Sequence, residues 1–408
     1  MDTDREHNVH VCTLSCRSEL TRMFELSRGI DVMAGLQIGV CGAGVGGLCT
    51  AIALRQTGHQ VQIFEQGSAY ERVGADVNLT PNAVKALDKL GVGKALRKIA
   101  ARPAFRICRD GITGEETSLL PMGEAAEEKY GAPQLTVHRA DLLDVLRQYL
   151  PDELLYHGKA VESVESEGQG GSVILSDGSS HQFEVVIGAD GIHSAVRSSL
   201  WGSDNPTFSG IVAYRSVIPR EKVNAIADTD SVTRWWGEVK EKQIVCFPLT
   251  EGREIFVFAT ALQDDWTGEG WTLEGNIDEL RTYYRNFHAD ACALLDACTQ
   301  VTRSALHVRE PMVQWAKGHV TILGDAAHPM MPPMALSAAM AIEDAVVLAR
   351  SLENVSRKHV VAALARYETA RKPRTAEVQR NSLENSWLKT SGNADWVYSY
   401  DAWPAELK

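Results

Sequence analysis

The 408-residue chain is 44% hydrophobic and 23% charged, a globular composition with room for a substantial core and about two domains. Its net charge of -12 argues against nucleic acid as a partner, because phosphate attraction needs a concentrated basic face and no basic run supplies one. No apolar stretch approaches the length of a membrane span, and the eight cysteines lack paired metal spacing, so a reduced, cytoplasmic protein with no metal site is expected.

Residues 1–35 carry mixed charge without a sustained apolar core or a small-residue cleavage site, which makes a poor secretory signal. They read as an N-terminal extension, disordered or the product of an upstream start, since Met33 lies just before the first apolar run. The alternative, a partner-binding arm around Leu20 to Leu26, is weak because so short an apolar face is marginal alone.

The apolar run Leu36 to Val40, the turn Gly42-Ala43-Gly44-Val45-Gly46-Gly47 and the segment Leu48 to Leu54 read as strand, glycine loop and helix. Gly42, Gly44 and Gly47 let a backbone approach a pyrophosphate, whose charge then sits against the helix N-terminus. Glu65 closes the next apolar strand, His59 to Phe64, about 20 residues on, where an acid takes a ribose hydroxyl. Gln66 beside it is a further candidate contact. Glycine-rich turns also serve as plain strand-to-helix connections, but the flanking strand, helix and terminal acid together make this a dinucleotide site.

Apolar spacing predicts a helix over Pro81 to Ala100 and another over Leu142 to Leu150, with Arg139 at the entrance of the second. Val185 to Gly188 is a buried-strand pattern ending at Asp190 and Gly191, followed by Ser194 and Arg197. From 203 to 308 the chain turns to short strands rich in aromatic and β-branched residues, as in Gly210 to Pro219, Val232 to Trp236, Gln243 to Pro248 and Glu254 to Ala261. Tyr214, Arg215, Trp235, Trp236, Cys246 and Phe247 are the pocket candidates there, although each residue type is more often a sheet-face or core residue than a ligand contact. Val320 to Leu323 leads into Gly324-Asp325-Ala326-Ala327-His328-Pro329, and helical patterns cover Met340 to Leu352 and His359 to Leu388. In the last of these Arg371, Lys372, Arg374 and Arg380 alternate with Glu368, Glu377 and Glu384, which predicts a solvated face laced with ion pairs.

The glycine loop with Glu65, the pair Asp190-Gly191 and the pair Gly324-Asp325 resemble, in order and spacing, the three signatures of the single-component flavoprotein aromatic hydroxylases, the class of the para-hydroxybenzoate and salicylate hydroxylases. The likeness runs from about Gln37 to about Trp403 and is nearest to members that hydroxylate hydroxynicotinates, on Cys108-Arg109-Asp110-Gly111, Val137 to Leu142, Trp235-Trp236 and Trp396 to Asp401. It implies an α/β fold: a Rossmann-like FAD-binding domain (36–202 and 309–408) with an inserted mixed β-sheet substrate domain (203–308) and C-terminal helices. It implies bound FAD, NADH or NADPH as a transient donor, and O2 with a small aromatic substrate as the other reactants, in a monomer or homodimer. It assigns Asp325 to the flavin ribityl chain, Arg139, Asp190 and Gly191 to the cofactor, and Pro332 and Ala338 to the neighbourhood of the flavin ring. His328 reads as part of the fold signature.

Two departures bear on chemistry. Where many members carry a glycine pair after the proline, this chain reads Met334-Ala335-Leu336-Ser337-Ala338, and Ser337 adds bulk and a hydroxyl beside the flavin. Where the hydroxynicotinate enzymes line the pocket with histidines and a tyrosine, the matching positions are Asn78, Pro333 and Cys246 or Phe247, leaving Tyr214 and Asn78 as the catalytic candidates. General-base help at a phenolic oxygen is worth about 10²- to 10⁴-fold. The expected activity is hydroxylation, with or without decarboxylation, of a hydroxylated aromatic or N-heteroaromatic acid such as a hydroxynicotinate or a salicylate-like compound. A hydroxylase of a larger secondary metabolite and an impaired flavoprotein with NADH oxidase activity are the alternatives.

Overall fold

The computed structural model describes residues 35–68, 76–266, 268, 270, 273–390 and 392–407. The N-terminal extension and the segment 69–75 lie outside them.

Five strands pair in parallel in the spatial order Val320–Ile322, Val185–Gly188, Gln37–Cys41, Gln60–Glu65, Leu155–His157, with the short Ala316–Lys317 antiparallel at one edge. Strands 37–41 and 185–188 are buried almost throughout, as expected of a parallel sheet covered on both faces. Because they run in parallel, Cys41, Phe64, Gly188 and Ile322 finish in register. The glycine loop, Glu65, Asp190-Gly191 and Gly324-Asp325 therefore gather at one sheet edge, although 283 residues separate the first from the last. Helix Val45–Gln56 packs beneath Ser337–Leu352, which in turn packs against Val360–Glu384.

A second, eight-stranded sheet has the order 273–275, 301–308, 207–219, 254–262, 243–249, 232–236, 105–110, 116–121. It is mixed, since 232–236 pairs in parallel with 105–110 and the other neighbours are antiparallel. Two of its strands, Phe105–Asp110 and Glu116–Pro121, come from outside the 203–308 segment, so the sheet extends further upstream than the expected boundary. Parallel pairing between residues so distant leaves no local mark in the sequence. Helices Ile277–Tyr284 and Ala289–Ala297 cover one face of this sheet.

Two expected helices are shorter than their periodicity. Pro81–Lys89 stops before Gly91, whose φ of +84° breaks the helix, and Gly93–Leu96 follows as a separate turn. Val360–Glu384 ends at Asn385 in the left-handed region, φ 48°.

Candidate active site

The glycine loop is shaped for close approach. A Cβ on Gly42 would lie 2.4 Å from the Ala189 carbonyl oxygen and one on Gly47 2.0 Å from that of Gly42, so both positions exclude any side chain. At Gly44, which begins the helix, nothing lies within 4 Å of such an atom, leaving open space where a phosphate would sit against the helix N-terminus. Glu65 accepts the Ala43 N–H and the Gly67 N–H, both at 2.8 Å, which fixes its carboxylate at the loop tip. Gln66 next to it is exposed. Arg139, exposed at the start of helix Arg139–Arg147, makes no hydrogen bond or ion pair among the described residues and is free to meet an anionic group. Asp190 is used locally instead: it accepts Ser194 Oγ at 2.6 Å and the Val196 N–H at 3.1 Å and caps the following helix, while Gly191 takes the turn at φ +78°. Burial raises the Asp190 carboxyl above its ordinary range, against these hydrogen bonds.

The eight-stranded sheet sorts the pocket candidates by parity. Side chains alternate across a strand, and Tyr214, Trp235 and Cys246 all point to the face covered by Leu280, Tyr284 and Leu295. Tyr214 meets Gln263 Nε2 at 3.3 Å, and burial pushes the Cys246 thiol up to about 12. Neither faces the cofactor domain. The catalytic assignment of Tyr214 and the pocket assignment of Cys246 are thereby corrected: the strand's phase turns them away. Arg215, Trp236 and Phe247 lie on the opposite face. That face meets the segment after Asp325, since Met331 packs with Ile211, Ala213 and Leu306, and Arg234 Nη2 donates to the Pro333 carbonyl at 2.6 Å. Arg215 donates to Ser304 Oγ at 2.8 Å and stacks over Phe258. Its charge faces Asp76, whose carboxyl burial pushes up to about 6 while Arg215 pulls the other way. Asn78, the other catalytic candidate, is buried, with its Oδ1 accepting from Gln134 Nε2 at 2.8 Å.

The chain matches the family model described as FAD binding domain over residues 36–382. It is 35% identical over 372 residues to 6-hydroxynicotinate 3-monooxygenase of Pseudomonas fluorescens, covering 91% of this chain and 96% of that one. It is 32% identical over 382 residues to 3-hydroxybenzoate 6-hydroxylase of Polaromonas naphthalenivorans, covering 91% and 93%. Among solved structures, a salicylate hydroxylase substrate complex superposes with a TM-score of 0.78 at 25% identity, covering 90% and 96%, and Klebsiella pneumoniae HpxO complexed with FAD and uric acid gives 0.77 at 25%, covering 88% and 90%. The chain belongs to the FAD-dependent aromatic hydroxylases.

As in other flavoprotein monooxygenases of this family, FAD is the cofactor, and the open Gly44 cradle with Glu65 at its tip fits a dinucleotide. In this hydroxylase the exposed Asp325 carboxylate accepts the Ser337 hydroxyl at 2.6 Å. The serine that departs from the glycine pattern is thus more than added bulk, because it ties the acid at one strand end to the first turn of helix Ser337–Leu352. Ala335, just before, holds φ 54°, which closes the turn after Pro332–Met334. Pro332 and Ala338 are half-buried on either side.

Beneath this loop lies a charge network that sequence reasoning misplaced. Arg371 is fully buried, donating from Nε to Asp344 Oδ1 at 2.7 Å and from Nη1 to Glu343 Oε2 at 2.6 Å. Arg374 also holds Glu343, at 2.8 Å and 3.0 Å, and Asn82 donates to Glu343 at 2.7 Å. Asp344 Oδ2 accepts the Gly324 N–H at 3.1 Å and lies 2.6 Å from His328 Nε2. The solvated face expected for Arg371 and Arg374 is therefore an interior one, whose acids come from the neighbouring helix. Burial alone would raise Asp344, but His328 and Arg371 hold it down at about 2. His328 thus fastens the Gly324-Asp325 loop to the core.

Proposed function

We propose that this enzyme uses NADH or NADPH and O2 to hydroxylate, with or without loss of a carboxylate, a small hydroxylated aromatic or N-heteroaromatic acid such as a hydroxynicotinate or a salicylate-like compound. The observation that carries the reading is the near full-length likeness to 6-hydroxynicotinate 3-monooxygenase, 35% identical over 91% of the chain. Bound FAD supplies the oxygen-activating chemistry, which no side chain can. The chain's own residues do the positioning. The glycine loop, Glu65 and Arg139 hold the dinucleotide end, and Asp325 with Ser337 orients the polyol chain. The inward sheet face, with Arg215, Arg234, Trp236 and Phe247, forms a dry wall against which an aromatic ring lies. Asn78, and Asp76, whose charge interacts with Arg215, replace Tyr214 as the candidates to hold a phenolic proton.

The test is product identification. Purified FAD-loaded enzyme is supplied with NADH, isotopically labelled O2 and each of a panel of hydroxybenzoates and hydroxypyridine carboxylates. One labelled oxygen in an aromatic product supports the proposal; consumption of NADH with no oxygenated product from any acid removes it.

A further inference from the structure

The buried charge on helix Ser337–Leu352 is closed on itself: Glu343 and Asp344 are matched by Arg371 and Arg374. A pair of arginines is not. Arg106 and Arg234 are only 5% and 7% exposed, and no carboxylate lies within ion-pair distance of either among the described residues. They sit on neighbouring strands of the inward sheet face, since Arg106 pairs with Val232 and Arg234 with Cys108. They share the field of one tyrosine, Tyr398, whose buried hydroxyl has no partner.

The groups around them are donors in search of an acceptor. Arg106 stacks over Trp387 at 5.3 Å, and Arg234 over Trp236 at 5.0 Å, with Lys389 also 5.2 Å from the Trp236 ring. Arg106 Nε, Trp236 Nε1 and Trp387 Nε1 are buried without a hydrogen-bond partner. Among the described residues Arg234 makes a single hydrogen bond, to the Pro333 carbonyl. A guanidinium does not shed its proton to escape burial. Two of them, side by side and without an acid, leave a desolvation cost that a well-placed anion would offset.

We infer that Arg234 and Arg106, with the Tyr398 hydroxyl and the Trp236 indole N–H, form the carboxylate anchor for the aromatic acid, and so set the requirement that the substrate be an acid. This rests on the proposed function and adds to it the residues that read the acid group. Three features choose a substrate carboxylate over a free inorganic anion. Arg234 is tied to the Pro333 segment that follows Asp325. Trp236, Val245, Phe247 and Phe258 on the same face present the apolar wall that a ring attached to the carboxylate needs. The orphaned donors come from three chain segments, as suits a group bound by several hydrogen bonds in different directions.

The test measures binding without turnover. FAD-loaded enzyme without reductant is titrated with 4-hydroxybenzoate, 6-hydroxynicotinate, the corresponding amides and inorganic phosphate, following the perturbation of the flavin absorbance. Acids are expected to bind about 10- to 100-fold more tightly than their amides, the worth of charge-assisted hydrogen bonds to a buried ligand. In Arg234→Met and in Arg106→Met that gap closes, while Arg234→Lys keeps part of it. Because Arg106→Met removes a buried uncompensated charge and breaks no hydrogen bond among the described residues, it does not lower the melting temperature of the ligand-free holoenzyme, which loss of a purely structural arginine would. Equal affinity for acids and amides in the parent enzyme overturns the inference, as does a gap that persists in both Met variants, or saturable phosphate binding with no preference among the organic ligands. If the gap closes as expected but no acid is oxygenated, the anchor stands and the proposed reaction is what fails. If a neutral phenol is hydroxylated with no preference for acids, the reaction stands and the anchor fails.

Discussion

Arg371→Met is the most informative change outside the flavin edge. Among the described residues it removes the only guanidinium on Asp344 and one of two on Glu343, leaving two wholly buried carboxylates with Arg374 on Glu343 and the His328 ring on Asp344. Breaking a buried pair from one side costs about 3–5 kcal/mol. With an unfolding entropy of about 2.1 cal/mol/K per residue, a body the size of Leu36–Lys408 shifts its midpoint by about 1.3 °C per kcal/mol, so the melt should fall by about 4–6 °C. The pH dependence gives the sign. In the parent, Asp344 lies at about 2, below its unfolded value, so the stability it contributes is present above about pH 4 and is lost as pH falls towards 2. In the variant the loss of Arg371 lifts Asp344 from there towards its unfolded value, so the stability that the pairing adds above about pH 4 is missing. Melts of both FAD-loaded proteins at pH 3 and pH 7.5 should therefore show a gap that narrows at the lower pH. A gap of under about 1 °C, or one unchanged between the two pH values, would refute the assignment of these charges to a tight interior network.

Tyr214→Phe should leave coupled turnover close to that of the parent, whereas Arg215→Met, one residue along and on the other face, should lower kcat/KM by about 10-fold or more; steady-state kinetics on the preferred acid compares them. Asp325→Asn should weaken FAD binding by about 10- to 100-fold and Ser337→Ala by about 3- to 10-fold, because the first removes the charge and the second only its orienting hydroxyl; flavin fluorescence on dilution measures both. Glu65→Gln should also weaken FAD binding, since an amide oxygen is a poorer acceptor for the Ala43 and Gly67 N–H groups and one amide N–H would face a donor. The same titration reads it.

The sheet edge that gathers the glycine loop, Glu65, Asp190-Gly191 and Gly324-Asp325 is legible in the sequence because its signals are local. A glycine loop between an apolar strand and a helix, an acid at the end of the next strand, and Gly324-Asp325 after a third run each carry their meaning within a few residues, and parallel pairing then aligns them. The two faces of the eight-stranded sheet cannot be told apart in the same way. Along Thr207–Pro219 the difference between Tyr214 and Arg215 is one step of strand phase, and the phase is set by helices Ile277–Tyr284 and Ala289–Ala297, more than 60 residues later. Arg234 is not legible locally, because an arginine between Thr233 and Trp235 looks like a surface residue. The available signal was its alternation with Val232 and Trp236, which places it on an apolar face. Arg371 and Arg374 misled for a related reason: their nearby glutamates suggest surface pairs, while their true partners, Glu343 and Asp344, sit 27 to 31 residues upstream on another helix.

The most direct test of the central claim is NADH oxidation by the purified, FAD-loaded enzyme across hydroxylated benzoates and pyridine carboxylates, with hydrogen peroxide and hydroxylated product measured in the same reactions. The account predicts that at least one acid accelerates NADH consumption and yields product nearly equal to the NADH used, with little peroxide. A slow rate that no acid changes, with every electron pair recovered as peroxide, would contradict it.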